Sequence, residues 1–196
     1  MSPKSVSGCH RLALLVIDMQ EHFRDMAAPL VPQLNATIDF CRHSDIPVIF
    51  TQHGHRNLDL DGGVLAAFFG PETMIKYGSE AWQLLPELKY DKDTDLTIIE
   101  KRRYDAFHGT LLLDLLRQLK VDTVIISGVM TNLCCETTAR SAFVKDFDVL
   151  FLSDGTGTAR DDLHQASLLN IAYGFGRVLT CQQVQDLIRN REKQAG

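Results

Sequence analysis

Nowhere does this 196-residue chain hold an apolar run approaching the roughly 20 residues that a membrane-spanning helix requires. No membrane association is expected. The first ten residues, Met1 to His10, are polar and lack the apolar core of a secretory leader. Basic charge is scarce as well. The formal net charge is −5, and the longest cationic run, Lys101-Arg-Arg103, is too short for a nucleic-acid surface. The cysteines are few and poorly placed for bridges: five of them, at 9, 41, 134, 135 and 181, with the adjacent Cys134 and Cys135 unsuited to pairing. No CxxC spacing supplies a resolving thiol, which argues against a redox function and for reduced thiols in the cytoplasm. Repeats, low-complexity tracts and linkers are absent. The length therefore reads as one domain with a sizeable core, behind a loose N-terminus over 1–10.

What the chain does contain is a regular alternation of two periodicities. Apolar runs at 12–18, 46–52, 95–100, 122–127, 147–152 and 176–179 predict strands. Helical spacing predicts helices near 30–44, 109–120, 132–146, 160–174 and 181–192. Val31, Leu34, Ile38 and Cys41 recur at three-to-four spacing, and Leu111, Leu112, Leu115, Leu116 and Leu119 do so more strongly. Asp161, ahead of Leu163, Ala166 and Leu169, suits a helix start. Such alternation implies an α/β fold, a single doubly wound domain with a mostly parallel sheet and helices on both faces. Thr51 to Gly78 is the one long irregular stretch, rich in Gly, His and Asp, and is expected to form a wall or lid of a site.

Three strand ends carry reactive side chains. Leu12 to Ile17 ends in Asp18, Asp95 to Glu100 ends in Lys101, and Val121 to Ser127 leads through Gly128 to Cys134 at the start of a helical segment. In a parallel sheet of this kind the carboxyl ends face one crevice, where ligands bind. A thiol in the first helical turn meets free N–H groups and the positive dipole end, both of which favour thiolate. Residue type alone leaves two readings for each. Cys134 is a nucleophile or a packed cysteine, Asp18 an acid/base or a turn cap, and Lys101 a solvated side chain or the cation that orients the other two. Cys9, Cys41 and Cys135 read as packing residues, while His108 lines the crevice or caps a helix.

Three blocks of sequence bear on that choice. They are Leu-Val-Ile-Asp18-Met-Gln20 with Phe23, Glu-Lys101-Arg-Arg-Tyr104-Asp-Ala-Phe107, and Ser-Gly128-Val-Met130-Thr-Asn-Leu-Cys134 through Thr138-Ala-Arg140. Lesser matches are Tyr77-Gly-Ser-Glu80 and Asp154. In this order they resemble the isochorismatase-like cysteine hydrolases, which include nicotinamidases, N-carbamoylsarcosine amidases and isochorismatases, over about residues 11 to 180. The resemblance implies a catalytic triad of Asp18, Lys101 and Cys134. It implies a non-proline cis peptide at Val129–Met130 and an oxyanion hole made by the backbone N–H groups of Met130 and Cys134. Gln20, Phe23, His55, Tyr104 and Phe107 are the implied substrate-pocket residues. Cys135 stands where the family usually has a small apolar residue.

Nicotinamidases of this family bind a metal through an aspartate and a histidine after the second strand, plus a histidine from the next loop. The matching stretch is Thr51-Gln52-His53-Gly54-His55, in which His55 matches the first histidine and His53 replaces the aspartate. No further histidine occurs before His108, which leaves Asp59 or Asp61 as a substitute third ligand. Histidines at i and i+2 of extended chain point the same way, as a divalent ion or a solvent-facing pair would have them. The expectation is no cofactor, with His53 and His55 as the candidate metal ligands.

The implied activity is cysteine-dependent hydrolysis of a C–N bond in a small amide or carbamoyl compound, through a thioester. The alternatives are a triad-bearing binding or assembly module, and metal-independent hydrolysis of the isochorismatase type, whose nucleophile position need not be cysteine. Expected partners are a small-molecule amide and further copies of the chain, as a dimer or tetramer. Leu65, Phe68 and Phe69 lie in an otherwise polar segment, with Trp82 just beyond, and supply apolar material for such an interface.

Overall fold

The computed structural model describes residues 11–195, so Cys9 and the expected loose N-terminus lie outside the described residues. Strands β1 (Leu12–Ile17), β2 (Val48–His53), β3 (Leu96–Lys101), β4 (Thr123–Val129), β5 (Asp148–Gly157) and β6 (Arg177–Leu179) form one sheet. Its order is β3-β2-β1-β4-β5-β6, and every neighbouring pair is parallel. Helices α1 (Val31–His43), α2 (Gly63–Phe69), α3 (Leu112–Gln118), α4 (Glu136–Val144), α5 (Asp161–Gly174) and α6 (Cys181–Ala195) complete the α/β layering. Among the described residues no helix is long and apolar enough to cross a membrane.

The unbroken apolar runs have a direct cause. Along β1, Leu12, Leu14 and Val16 enter a core with Val31, Leu34, Ile38 and Cys41 of α1 and Val184 and Ile188 of α6. Ala13, Leu15 and Ile17 enter a second core with Leu112 and Leu116 of α3, Ala139 and Ala142 of α4 and Ile171 of α5. A central parallel strand buries both its faces, so alternation disappears. Because β1 pairs with β2 on one side and β4 on the other, the strand order reverses here, and the carboxyl ends of β1 and β4 lie side by side at the point where such sheets bind ligands.

Several boundaries and faces differ from expectation. Leu111 precedes α3 and is 72% exposed, so the leucine stripe is narrower than its spacing suggests. Helix α5 starts at Asp161 as expected, yet it buries Ser167 and Ile171 while Leu169 faces solvent. The Ser167 hydroxyl donates to Glu136 Oε2 at 2.5 Å, which draws a small polar position into the contact with α4. Thr51 to Gly78 is irregular only in part. It completes β2, forms a helical turn at Leu58–Asp61 capped by Asn57, and continues through α2. Asp61 anchors that turn, because its carboxylate accepts from the Arg56 N–H at 2.9 Å and lies 3.3 Å from Arg102 Nε.

Candidate active site

Asp18 follows β1 in the left-handed region, φ 48°, a conformation that aspartate tolerates better than most residues. Its N–H donates to the Thr51 carbonyl and hydroxyl, each at 3.2 Å, which pins the end of β1 to β2. The Thr51 hydroxyl in turn donates to Asp18 Oδ1 at 2.6 Å. Lys101 closes β3, two strands away from β1, roughly 10 Å at ordinary strand spacing. Only a long side chain crosses that gap. Lys101 Nζ, wholly buried, donates to Asp18 Oδ2 at 2.5 Å and lies 3.2 Å from Cys134 Sγ.

The thiol is delivered by the turn after β4. Gly128, at φ 105°, pairs with Ile17, and a side-chain carbon there would sit 2.0 Å from the Ile17 carbonyl oxygen, so no other residue fits. The Val129–Met130 peptide is cis. A single wide turn of π-helix, Thr131–Cys135, then runs into α4. There the N–H groups of Leu133 and Cys135 both donate to the Met130 carbonyl at 3.1 Å. Spacing predicted an ordinary α-helix from 132. The wider first turn is a feature that collects at functional sites.

Burial pushes the Cys134 thiol up, to about 12, against the pull of the Lys101 ammonium, and the Asp18 carboxylate within reach of the same thiol adds to the rise. The resting group is therefore a thiol. The expectation that a helix start would make it a thiolate is corrected, because desolvation of the sulfur outweighs the dipole and the cation. Burial opposes the charge on Lys101, but Asp18 and Cys134 beside it hold its proton more firmly than usual. Cys135 is wholly buried, with its sulfur 3.8 Å from the Ser127 carbonyl, and burial raises it far above the usual thiol range. Cys41 and Cys181, also buried, are pushed up to about 12 by desolvation. All three agree with a packing role.

The remaining expected residues divide. Tyr104 is near the cluster, since burial first and then the Cys134 sulfur raise its hydroxyl. His53 and His55 are both buried, their rings 5.1 Å apart and edge to face. Burial, then Lys101, lower His53 to about 3, so it is neutral. Gln20 acts as a clamp, because its amide donates to the His53 and Trp82 carbonyls at 3.0 and 2.7 Å and accepts from the His53 N–H at 2.8 Å. Both N–H groups of that amide are spent on backbone carbonyls. Phe107 stacks on Phe147, 6.0 Å between centroids, within the second core. Phe23 packs beside the first core. His108 is exposed in a turn, its N–H donating to the Asp105 carbonyl at 3.3 Å, so it does not line the crevice. Thr51 was not singled out from the sequence. A hydroxyl ending a buried apolar run was the available signal.

An isochorismatase domain model matches residues 12–183. The chain belongs to the isochorismatase family. Within the family it is similar to Nicotinamidase 3 of Arabidopsis thaliana, 41% identical over 88% of this chain and 86% of the relative. It is also similar to Enterobactin synthase component B of Escherichia coli K12, 31% identical over 89% of this chain but only 62% of that protein. A cysteine hydrolase structure from Pseudomonas syringae pv. phaseolicola 1448A superposes with a TM-score of 0.85, at 28% identity, covering 92% and 93% of the two chains.

The metal that nicotinamidases of this family bind does not fit the donors present in this isochorismatase-family chain. Among the described residues no three His, Cys, Asp or Glu side chains converge as a metal site would require. Asp61, a candidate third ligand, instead faces His55 Nδ1 at 3.1 Å, and its second oxygen is taken by Arg56, Asn57 and Arg102. Asp59 opens the exposed turn capped by Asn57. Two histidines alone do not close a coordination sphere.

Proposed function

We propose that this protein is a cysteine amidohydrolase that cleaves the C–N bond of a small amide or carbamoyl compound, with Asp18, Lys101 and Cys134 as its catalytic residues. One observation carries the reading: a buried ammonium sits within hydrogen-bond distance of both a carboxylate and a thiol. The family relatives named nicotinamidase and cysteine hydrolase support it.

Substrate entry sets the sequence of steps. Asp18 takes the proton of Cys134, and the sulfur forms a bond to the amide carbon. Charge on the amide oxygen faces the N–H groups of Met130 and Cys134. The C–N bond breaks as Asp18 returns the proton to the leaving nitrogen, which departs as ammonia and leaves a thioester. Water, deprotonated by Asp18, then adds to the thioester carbon, and the C–S bond breaks to give the acid and the thiol. Lys101 stays charged throughout and offsets the negative charge shared by Asp18 and the sulfur. The protein works without a metal and as a symmetric oligomer.

The test is ammonia release from a panel of small primary amides and carbamoyl compounds. Release that Cys134→Ala lowers by at least about 10³-fold is expected for a covalent nucleophile. Undiminished release in that variant, or none from any panel member, would sink the reading.

A further inference from the structure

Thr51 is wholly buried on β2, the strand that lies between Asp18 at the end of β1 and Lys101 at the end of β3. The pairing of β2 with β3 is regular up to Thr51 opposite Ile98 and then shifts, so that His53 stands opposite Lys101. Two steps along β2 thus match three along β3. Strict alternation from Ile98 would send Lys101 to the face of Thr97, which pairs with Phe50 of the first core. The extra residue turns it instead to the face of Ile98, whose core also holds Cys134. A bulge that re-aims one side chain is a device found beside active sites. Thr51 sits where the bulge begins, on the strand that the lysine crosses.

Its bonds to Asp18 are not all equivalent. The Asp18 N–H is shared between the Thr51 carbonyl and the Thr51 hydroxyl, 3.2 Å from each. The carbonyl alone ties the strands together, and any residue at 51 would keep that bond. The distinct contribution of the hydroxyl is its contact with Asp18 Oδ1, at 2.6 Å. A hydroxyl has one proton, and because this oxygen accepts from the Asp18 N–H, the proton is left to point at Oδ1. Lys101 holds Oδ2 at 2.5 Å. The carboxylate is therefore fixed at both oxygens by donors from two different strands, with the Cys134 thiol within reach of it as well.

We infer that Thr51 is a positioning residue for the proton transfer between Cys134 and Asp18: its hydroxyl holds the carboxylate so that a lone pair stays aimed at the sulfur. Without that hydroxyl, Lys101 is the remaining donor on the carboxylate. The group would swing to face the ammonium with both oxygens, and the sulfur would lose its proton acceptor. This inference rests on the proposed amidohydrolase reading for the step that the alignment serves.

Iodoacetamide reads the alignment without any substrate, because the sulfur must give up its proton before it is alkylated. Thr51→Val keeps the branched shape and deletes the donor. It should slow alkylation of Cys134 at neutral pH at least about fivefold, part of the roughly 10²–10⁴-fold that a placed base contributes. Thr51→Ser keeps the donor and should return the rate to within about twofold of the unaltered protein. A purely structural hydroxyl predicts the opposite sign: its loss would loosen the packing over the thiol and speed alkylation, and serine, lacking the methyl group, would do no better than valine. Thermal midpoints should confirm folding, and if the valine variant does not fold, Thr51→Ala carries the same expectation. In ammonia release from the panel compound that the unaltered protein hydrolyses fastest, Thr51→Val should lower kcat at least about tenfold and leave KM within about threefold. An unchanged or raised alkylation rate, no recovery in Thr51→Ser, or an unchanged kcat would overturn the role. Slowed alkylation that serine restores, with no ammonia from any panel compound, keeps the alignment and removes the hydrolase. Ammonia release with alkylation indifferent to residue 51 does the reverse.

Discussion

Cys134 meets an ammonium on one side and a carboxylate on the other, with 5% of its surface exposed. A solvated thiol titrates near 8.5, so its alkylation rate levels off about one pH unit above that. With the Cys134 thiol pushed up to about 12, its thiolate fraction is small at neutral pH and grows tenfold with each unit of pH. The iodoacetamide rate at Cys134, followed by mass spectrometry, should therefore keep climbing between pH 7 and pH 10. A plateau by pH 9 would show that the cation dominates burial. Cys134 should also react well ahead of Cys135, which burial shields completely. Successive helical residues point about 100° apart, so the crevice takes only one of them. Asp18 and Lys101 end apolar runs and Cys134 opens the helical segment after one, so all three were candidates in the sequence, and the family resemblance joined them as a triad. The thiol's protonation was not legible, since it depends on surroundings contributed by three separate strands.

The turn from β4 into the π-helical opening of α4 is the element that aims the thiol, and Gly128 is its tightest point. A methyl group there would collide with the Ile17 backbone of the neighbouring strand, which cannot move without breaking the β1–β4 pairing. The positive φ adds strain for any side chain. Gly128→Ala should destabilise the protein by about 3 kcal/mol or more, a fall in Tm of roughly 6–12 °C for a chain of this size. Calorimetric unfolding that shifts by less than about 2 °C would mean the strands part easily at that point. Helices and strands were predicted well where one face met a core, as at α1. They were predicted poorly where a polar contact chose the face. Ser167 against Glu136 is such a case, because spacing weighs hydrophobicity and cannot see a hydrogen bond made across 31 residues of chain.

For the whole molecule, one group of exposed apolar side chains lies on the segment that was expected to be an irregular wall or lid of the site. Leu60, Val64 and Phe68 are 84%, 82% and 78% exposed, on and beside α2. Trp82 is partly buried against Tyr77 and contributes less of this surface than expected. Side chains of that size grouped on one short stretch favour association with another copy. Light scattering at micromolar concentration should give at least twice the 22.0 kDa of one chain. Phe68→Glu should move the population toward monomer by placing a charge in the contact. A clean monomer before substitution would leave the face as the outer surface of a lid.

The sequence by itself determined the layer architecture and the strand and helix order, because burial on both sheet faces and the switch of period are local and repeat along the chain. Only the tertiary structure decided how the reactive side chains behave. It set Lys101 across an intervening strand to reach Asp18 and Cys134, closed both ends of the Gln20 amide, and turned Asp61 onto His55 rather than toward a metal. Each of these outcomes depends on distances between residues tens of positions apart, which folding fixes and spacing along the chain does not record.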